Sequence, residues 1–133
     1  MIPPRPYLLL SLVASVYVVT SAPARSFEDR DFCIAARQFA LAAEKDVGLW
    51  IDRATRDAGM AVFCEKNSVE FKRFTYMPSV AMNDTWKEQQ ATAWNASRCT
   101  SAVWSEAIRN GWKIVLNITS ADGRQVSLAA QCR

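Results

Sequence analysis

Four cysteines constrain this chain more than any other feature. Cys33, Cys64, Cys99 and Cys132 lie 31, 35 and 33 residues apart, so no C-x-x-C pair exists and neither a four-cysteine zinc site nor a dithiol redox motif has its usual spacing. An even number of widely spaced cysteines reads instead as two disulfides, provided the chain reaches an oxidising compartment. The amino terminus supplies that route. Arg5 precedes an uncharged, mostly apolar run at residues 7–20, and Ala22-Pro23-Ala24 matches the A-x-A pattern of a signal-peptidase junction. As a helix that run reaches about 21 Å, short of the roughly 30 Å of bilayer hydrocarbon, so it reads as a cleaved leader rather than a span. The expected organisation is a signal peptide at 1–24 and one small disulfide-stapled domain at 25–133, with no stable membrane span after cleavage and a secreted or periplasmic location.

The composition removes whole classes of chemistry. The chain has no histidine, which excludes a Ser-His-Asp triad, a Cys-His dyad, a histidine-bearing zinc site and a histidine pH switch. Sixteen basic residues against 13 acidic ones give a net charge of only +3, and the two signs are interspersed without a basic block, so no nucleic-acid partner is expected. No phosphate loop, G-x-S-x-G, S-x-x-K or H-E-x-x-H motif occurs. No cofactor or metal is therefore expected, and no residue stands out as catalytic.

Hydrophobic periodicity outlines the fold. Ser26 and Asp29 resemble a capping box, and Phe32, Ala36, Phe39, Ala40 and Ala43 recur at helical spacing, which predicts a helix over 27–45. Residues 49–54 and 60–65 read as a hairpin about Arg56-Asp57-Ala58-Gly59, and 69–76 as a third strand that follows Asn67-Ser68 and ends at Pro78. Thr85-Trp86-Lys87-Glu88 forms a second capping box, opening a helix that runs to Arg109 with an interruption near Cys99. Asn110-Gly111 stops it. Residues 113–120 and 124–132 then flank Ala121-Asp122-Gly123, a strong hairpin signal.

These elements predict an α+β fold of two αββ-like units in the order α-β-β-β-α-β-β, an antiparallel sheet with helices packed on one face and two disulfides. In each unit a helical cysteine is followed by one that ends a hairpin, a weak internal repeat that proposes the pairs Cys33–Cys64 and Cys99–Cys132. Strand parity agrees, because Met60, Val62 and Cys64 share one face, as do Val126, Leu128, Ala130 and Cys132. The same parity assigns Leu49, Ile51, Met60, Val62, Val69, Phe71, Ile114, Leu116, Ile118, Val126 and Leu128 to the face under the helices.

The opposite face is unequal. Its first three strands carry Trp50, Phe63, Phe74 and Tyr76 with Lys72 at the edge, whereas its last two carry mainly Lys113, Asn117, Thr119, Gln125, Ser127 and Gln131. Rings left facing solvent are costly unless something covers them, so Trp50, Phe63, Lys72, Phe74 and Tyr76 are the candidate site for a ligand or partner. The competing reading is a second core, in which residues 77–82 fold back over the rings. Of five tryptophans, periodicity sends Trp86, Trp104 and Trp112 to the core and leaves Trp50 and Trp94 as exposed platforms.

Two functional readings follow. The first is an exported binding or inhibitor module that acts through the aromatic sheet face on a protein, small-molecule or glycan ligand, or across that face as a homodimer. The alternative is a carboxylate-based hydrolase of cell-wall or other polysaccharide, suggested by tryptophans near acids. N-x-S/T sequons occur at Asn83, Asn95 and Asn117, but the A-x-A junction and the preference for arginine over lysine fit a bacterial exported protein better. Non-reducing peptide mapping of the protein should recover Cys33 linked to Cys64 and Cys99 linked to Cys132. Crossed links would contradict the pairing, and four free thiols would contradict export.

Overall fold

The structure, a computed structural model, describes residues 26–133; the leader expected at 1–24 lies outside them. Helix α1 (Asp29–Ala43) buries Phe32, Cys33 and Ala36, and places Asp29 and Asp31 in its first turn, where negative charge meets the unpaired N–H groups of the helix start. Its Glu28 cap makes no side-chain hydrogen bond, so the Ser26/Asp29 capping box does not form. Strands β1 (Thr55–Phe63) and β2 (Ser68–Thr75) follow, joined by a 3-10 turn at Cys64–Lys66 and by Asn67 in the left-handed region, a conformation that asparagine tolerates.

Helix α2 (Asp84–Cys99) begins at Asn83, whose side chain accepts from the Trp86 amide at 2.9 Å; the cap therefore lies two residues before Thr85. Ser101 caps α3 (Ala102–Arg109), and the expected interruption falls between these helices. Strands β3 (Lys113–Ser120) and β4 (Gln125–Ala129) complete the chain, with Gly123 at φ 87° in the turn between them.

The sheet order is β1-β2-β3-β4. Its outer pairs are antiparallel, but β2 and β3 run parallel, from Ser68 opposite Lys113 to Thr75 opposite Ser120. The sheet is thus mixed rather than wholly antiparallel. The reason lies in the connection: α2 and α3 carry the chain back to the end of the sheet at which β2 began, and a crossover of that length permits a parallel partner. The two αββ-like units share an order of elements, yet the parallel pair reverses the second hairpin relative to the first.

Residues 49–54 contribute only the Trp50–Arg56 bridge. A short hairpin does form there, with Ile51 N donating to Thr55 O at 2.8 Å and Asp57 N to Leu49 O at 2.9 Å. Its turn is at Asp52, whose Oδ1 accepts from Ala54 N, and not at residues 56–59. Gly59, at φ 105°, serves instead as a bulge in β1, where the register shifts between Asp57 and Gly59; a left-handed residue at a bulge is a glycine position.

The three α-helices of the described residues pack on one face of the sheet, and the core lies between helices and sheet. Val69, Ile114, Leu116 and Ile118 are almost wholly buried there, with Met60, Val62, Phe71 and Leu128 packed against them. Leu49 and Ile51, expected in this face, are exposed, because the edge segment that carries them extends past the helix layer. Trp112 donates through Nε1 to Asp29 Oδ1 at 2.9 Å, tying the start of β3 to the start of α1.

Both disulfides join a helix to the strand region it covers. Cys33 of α1 bonds Cys64, and Cys99 at the end of α2 bonds Cys132 beyond β4. Each closes a loop of about 30 residues, worth about 3–4 kcal/mol by the chain-entropy estimate. Leu116→Ala should cost about 2–5 kcal/mol in urea unfolding, whereas Leu49→Ala should stay within about 0.5 kcal/mol; equal losses would contradict the assigned core.

Candidate functional site

On the sheet face opposite the helices, Trp50, Arg56 and Phe74 stand side by side, since Trp50 bridges Arg56 and Arg56 pairs with Phe74. Tyr76 follows two residues beyond Phe74, held by its amide donating to Ala54 O at 2.8 Å. The rings form one connected group, with Phe74 and Tyr76 centroids 5.0 Å apart, edge to face, and Trp50 and Tyr76 5.7 Å apart. The Arg56 guanidinium lies 4.1 Å from the Trp50 ring centroid and 5.9 Å from that of Tyr76. Trp50 is 54% exposed and Tyr76 53%. Residues 77–82 therefore leave both rings open to solvent.

Three of the five expected site residues thus come together. Lys72 is exposed on the same face, opposite Gly59 and two residues before Phe74, so it borders the group as expected. Phe63 does not join it. Phe63 pairs with Ser68 at the other end of β1, where Lys66 lies 5.8 Å over its ring. Arg56 belongs to the group but is hidden from simple parity, which would place it with Met60 and Val62 under the helices. The Gly59 bulge shifts the phase by one residue and turns Arg56 to the open side. Its Nε is buried without a hydrogen-bond partner among the described residues, consistent with a side chain held by stacking.

Trp94, expected as an exposed platform, is buried and donates through Nε1 to Ile114 O at 3.1 Å. α2 lays it on the sheet, where its ring packs edge to face on Phe71 with centroids 5.1 Å apart. The sequon asparagines are also committed to structure. Asn83 caps α2, Asn95 accepts from the Gln131 amide at 2.9 Å, and Asn117 is buried beside Ser127.

Charge around the open face is mixed. Asp52, the acid closest in sequence to Trp50, uses Oδ1 to hold its own turn. On the β3–β4 turn Asp122 is held below the usual carboxylate range by the Ser120 hydroxyl and then by Ser79. Among the described residues no group of His, Cys, Asp or Glu could hold a metal ion, and no helix is long and apolar enough to cross a membrane.

The fold is a four-stranded mixed sheet of α+β class, covered on one face by helices and left open on the other among the described residues, with one disulfide on α1 and one on α2. Solved structures share it. A Pseudomonas aeruginosa protein assigned as secreted superposes with a TM-score of 0.62 at 11% identity, covering 80% of this chain and 94% of that one. EpsS, the pilotin of the Vibrio vulnificus type 2 secretion system, superposes with a TM-score of 0.57 at 12% identity, covering 77% and 90%. At these identities the likeness is one of fold. No protein-family model and no curated protein sequence matches the chain.

Trp50→Ala should change stability by no more than about 1 kcal/mol, the value of one exposed cation–π contact, as read from urea unfolding; a loss of about 3 kcal/mol or more, the cost of emptying a core, would show that the ring is structural.

Proposed function

We propose that the protein is an exported, non-catalytic binding module that engages a partner protein through the open-face group of Trp50, Arg56, Phe74 and Tyr76. The single observation that carries this reading is that Trp50 and Tyr76, stacked with Arg56, remain more than half exposed on a face that no helix among the described residues covers. Tryptophan, tyrosine and arginine are the residue types that dominate protein-interface energetics, because each offers a large, stiff, partly apolar surface with a polar tip. The remainder of that face, with Lys113, Asn117, Thr119, Gln125 and Ser127, is polar, as the rim of an interface is.

Export is supported by two closed disulfides among the described residues and by the expected leader at 1–24. A partner protein is supported by the fold shared with a pilotin, a component of a secretion system. The location that fits is periplasmic or extracellular.

A photo-crosslinking amino acid placed at position 50 or 76 in the producing cells tests the surface. Both sites should give a discrete protein adduct that is lost with Arg56→Ala, while the same probe at Gln125 on the far strand gives none. Equal labelling from Gln125, or no adduct from either aromatic position, would overturn the proposed surface. Turnover of peptidoglycan that survives repurification and disappears with one Asp→Asn or Glu→Gln change would overturn the non-catalytic reading.

A further inference from the structure

Arg56 is the charged member of the open-face group, and its guanidinium is held there without being neutralised. Its Cζ lies 4.1 Å from the Trp50 ring centroid and 5.9 Å from that of Tyr76. Its Nε is buried with no hydrogen-bond partner among the described residues, where the one ion pair within 4 Å joins Lys87 to Asp84. The acids nearest to it in sequence are engaged elsewhere. Asp52 Oδ1 accepts from Ala54 N and Asp57 Oδ1 from Gly59 N, each at 2.8 Å, and the charge of both acts on Arg73, which faces the helices beside Trp94. A planar cation clamped on an indole and lacking an acid is preorganised for a carboxylate, because stacking fixes the plane in which the remaining N–H donors point.

The strands of the open face carry charge of the same sign. Strand parity and register place Arg56, Lys72 and Lys113 on it against Glu70 alone. Lys72 is exposed and, like Arg56, has no acid within 4 Å among the described residues. Such a surface favours a partner of opposite sign, and charge complementarity of this kind governs which partner is accepted more than how tightly it is held.

The groups also stand in a line. Lys72, Phe74 and Tyr76 follow one another at every second residue, a step of about 7 Å in extended chain. Arg56 sits across from Phe74, and the Trp50 ring lies 5.7 Å from that of Tyr76. The order along the face is therefore ammonium, stacked guanidinium, aromatic pair. An extended segment laid along it presents its own alternate side chains at the same step, since residues two apart in a strand share a face.

We propose that the partner met by this face presents an extended acidic segment whose alternate residues are acid, acid and aromatic. One carboxylate pairs with Lys72, the next takes the Arg56 guanidinium, and the aromatic side chain packs on Trp50 and Tyr76. The inference rests on the partner-surface reading and adds to it the chemistry of the partner. Glu70, two residues before Lys72 on the same face, repels a third acid at the next step and so limits the acidic run to two.

The probe is the blocked, fluorescently labelled peptide Phe-Thr-Asp-Thr-Asp-Thr-Phe, symmetric so that it serves either chain direction, and its anisotropy with the disulfide-bonded protein is the readout. It should bind saturably, and about ten-fold or more tightly than the same peptide with both acids changed to Asn, as the loss of a charge-assisted contact predicts. Arg56→Gln should remove most of that preference. Lys72→Glu, at an exposed position, should leave the melting temperature unchanged and redirect the preference: one of the two peptides with a single Asp→Lys change then binds better than the acidic peptide, and which one does so gives the direction of the segment. Polygalacturonate, which has the charge and no rings, should bind more weakly than the acidic peptide per carboxylate; equal binding would overturn a peptide as the occupant. No saturable binding, equal affinity for the acidic and amide peptides, or an unaltered preference in Lys72→Glu would each overturn the inference. Discrete adducts from positions 50 and 76 alongside any of these results would leave the partner surface standing, whereas absence of those adducts overturns both.

Discussion

The packing of one indole organises this fold. Trp104 of α3 meets Phe32 and Phe39 of α1 and Phe71 of β2, with centroids 5.5–5.8 Å apart and the rings near edge to face. Such pairs add about 0.5–1.5 kcal/mol each beyond the area they bury. The Phe32–Trp112 contact, with centroids 4.6 Å apart, extends the seam from α1 to the start of β3. Through it, a helix from the start of the chain and a helix from the crossover share one core. The two disulfides secure the outer edges of the same layer, since a small domain has little apolar surface with which to hold long connections.

The crossover that delivers Trp104 to the seam also makes β2 and β3 parallel. That pairing places β2 in the interior of the sheet, with neighbours on both sides, and so exposes its two faces to different demands. One face supplies Val69, Phe71, Arg73 and Thr75 to the helix layer. The other carries Lys72 and Phe74, with Tyr76 one residue beyond the strand, on the open side. The core and the open-face group thus draw on opposite faces of one strand, as a sheet covered on one side only permits.

Most of the fold was legible in the sequence, and for local reasons. The cysteine spacing, read with strand parity, gave the disulfide pairs because a helix packed on a strand face can meet only cysteines that point toward it. The α1 helix, the α2–α3 interruption, β2 and the Asp122-Gly123 turn all follow from signals within a few residues. The open-face ring group was partly legible too: Trp50, Phe74, Tyr76 and the bordering Lys72 share the expected side. Phe63 was misplaced because parity says which face a residue occupies and nothing of its distance along the strand. Leu49 and Ile51 were misassigned because alternation cannot tell where the helix layer ends.

What the sequence by itself determined is therefore the set of elements, the faces of most strands and the covalent staples, each of which depends on residues within one element or on a count between cysteines. Tertiary structure alone decided three things. The direction of β3 beside β2 depends on the path of the crossover, which no local pattern records. Arg56 reached the open face only because Gly59 is a bulge rather than a turn residue, and glycine permits either since it carries no Cβ to forbid positive φ. Arg73 and Arg98, 25 residues apart in the chain, became neighbours of one indole through long-range packing.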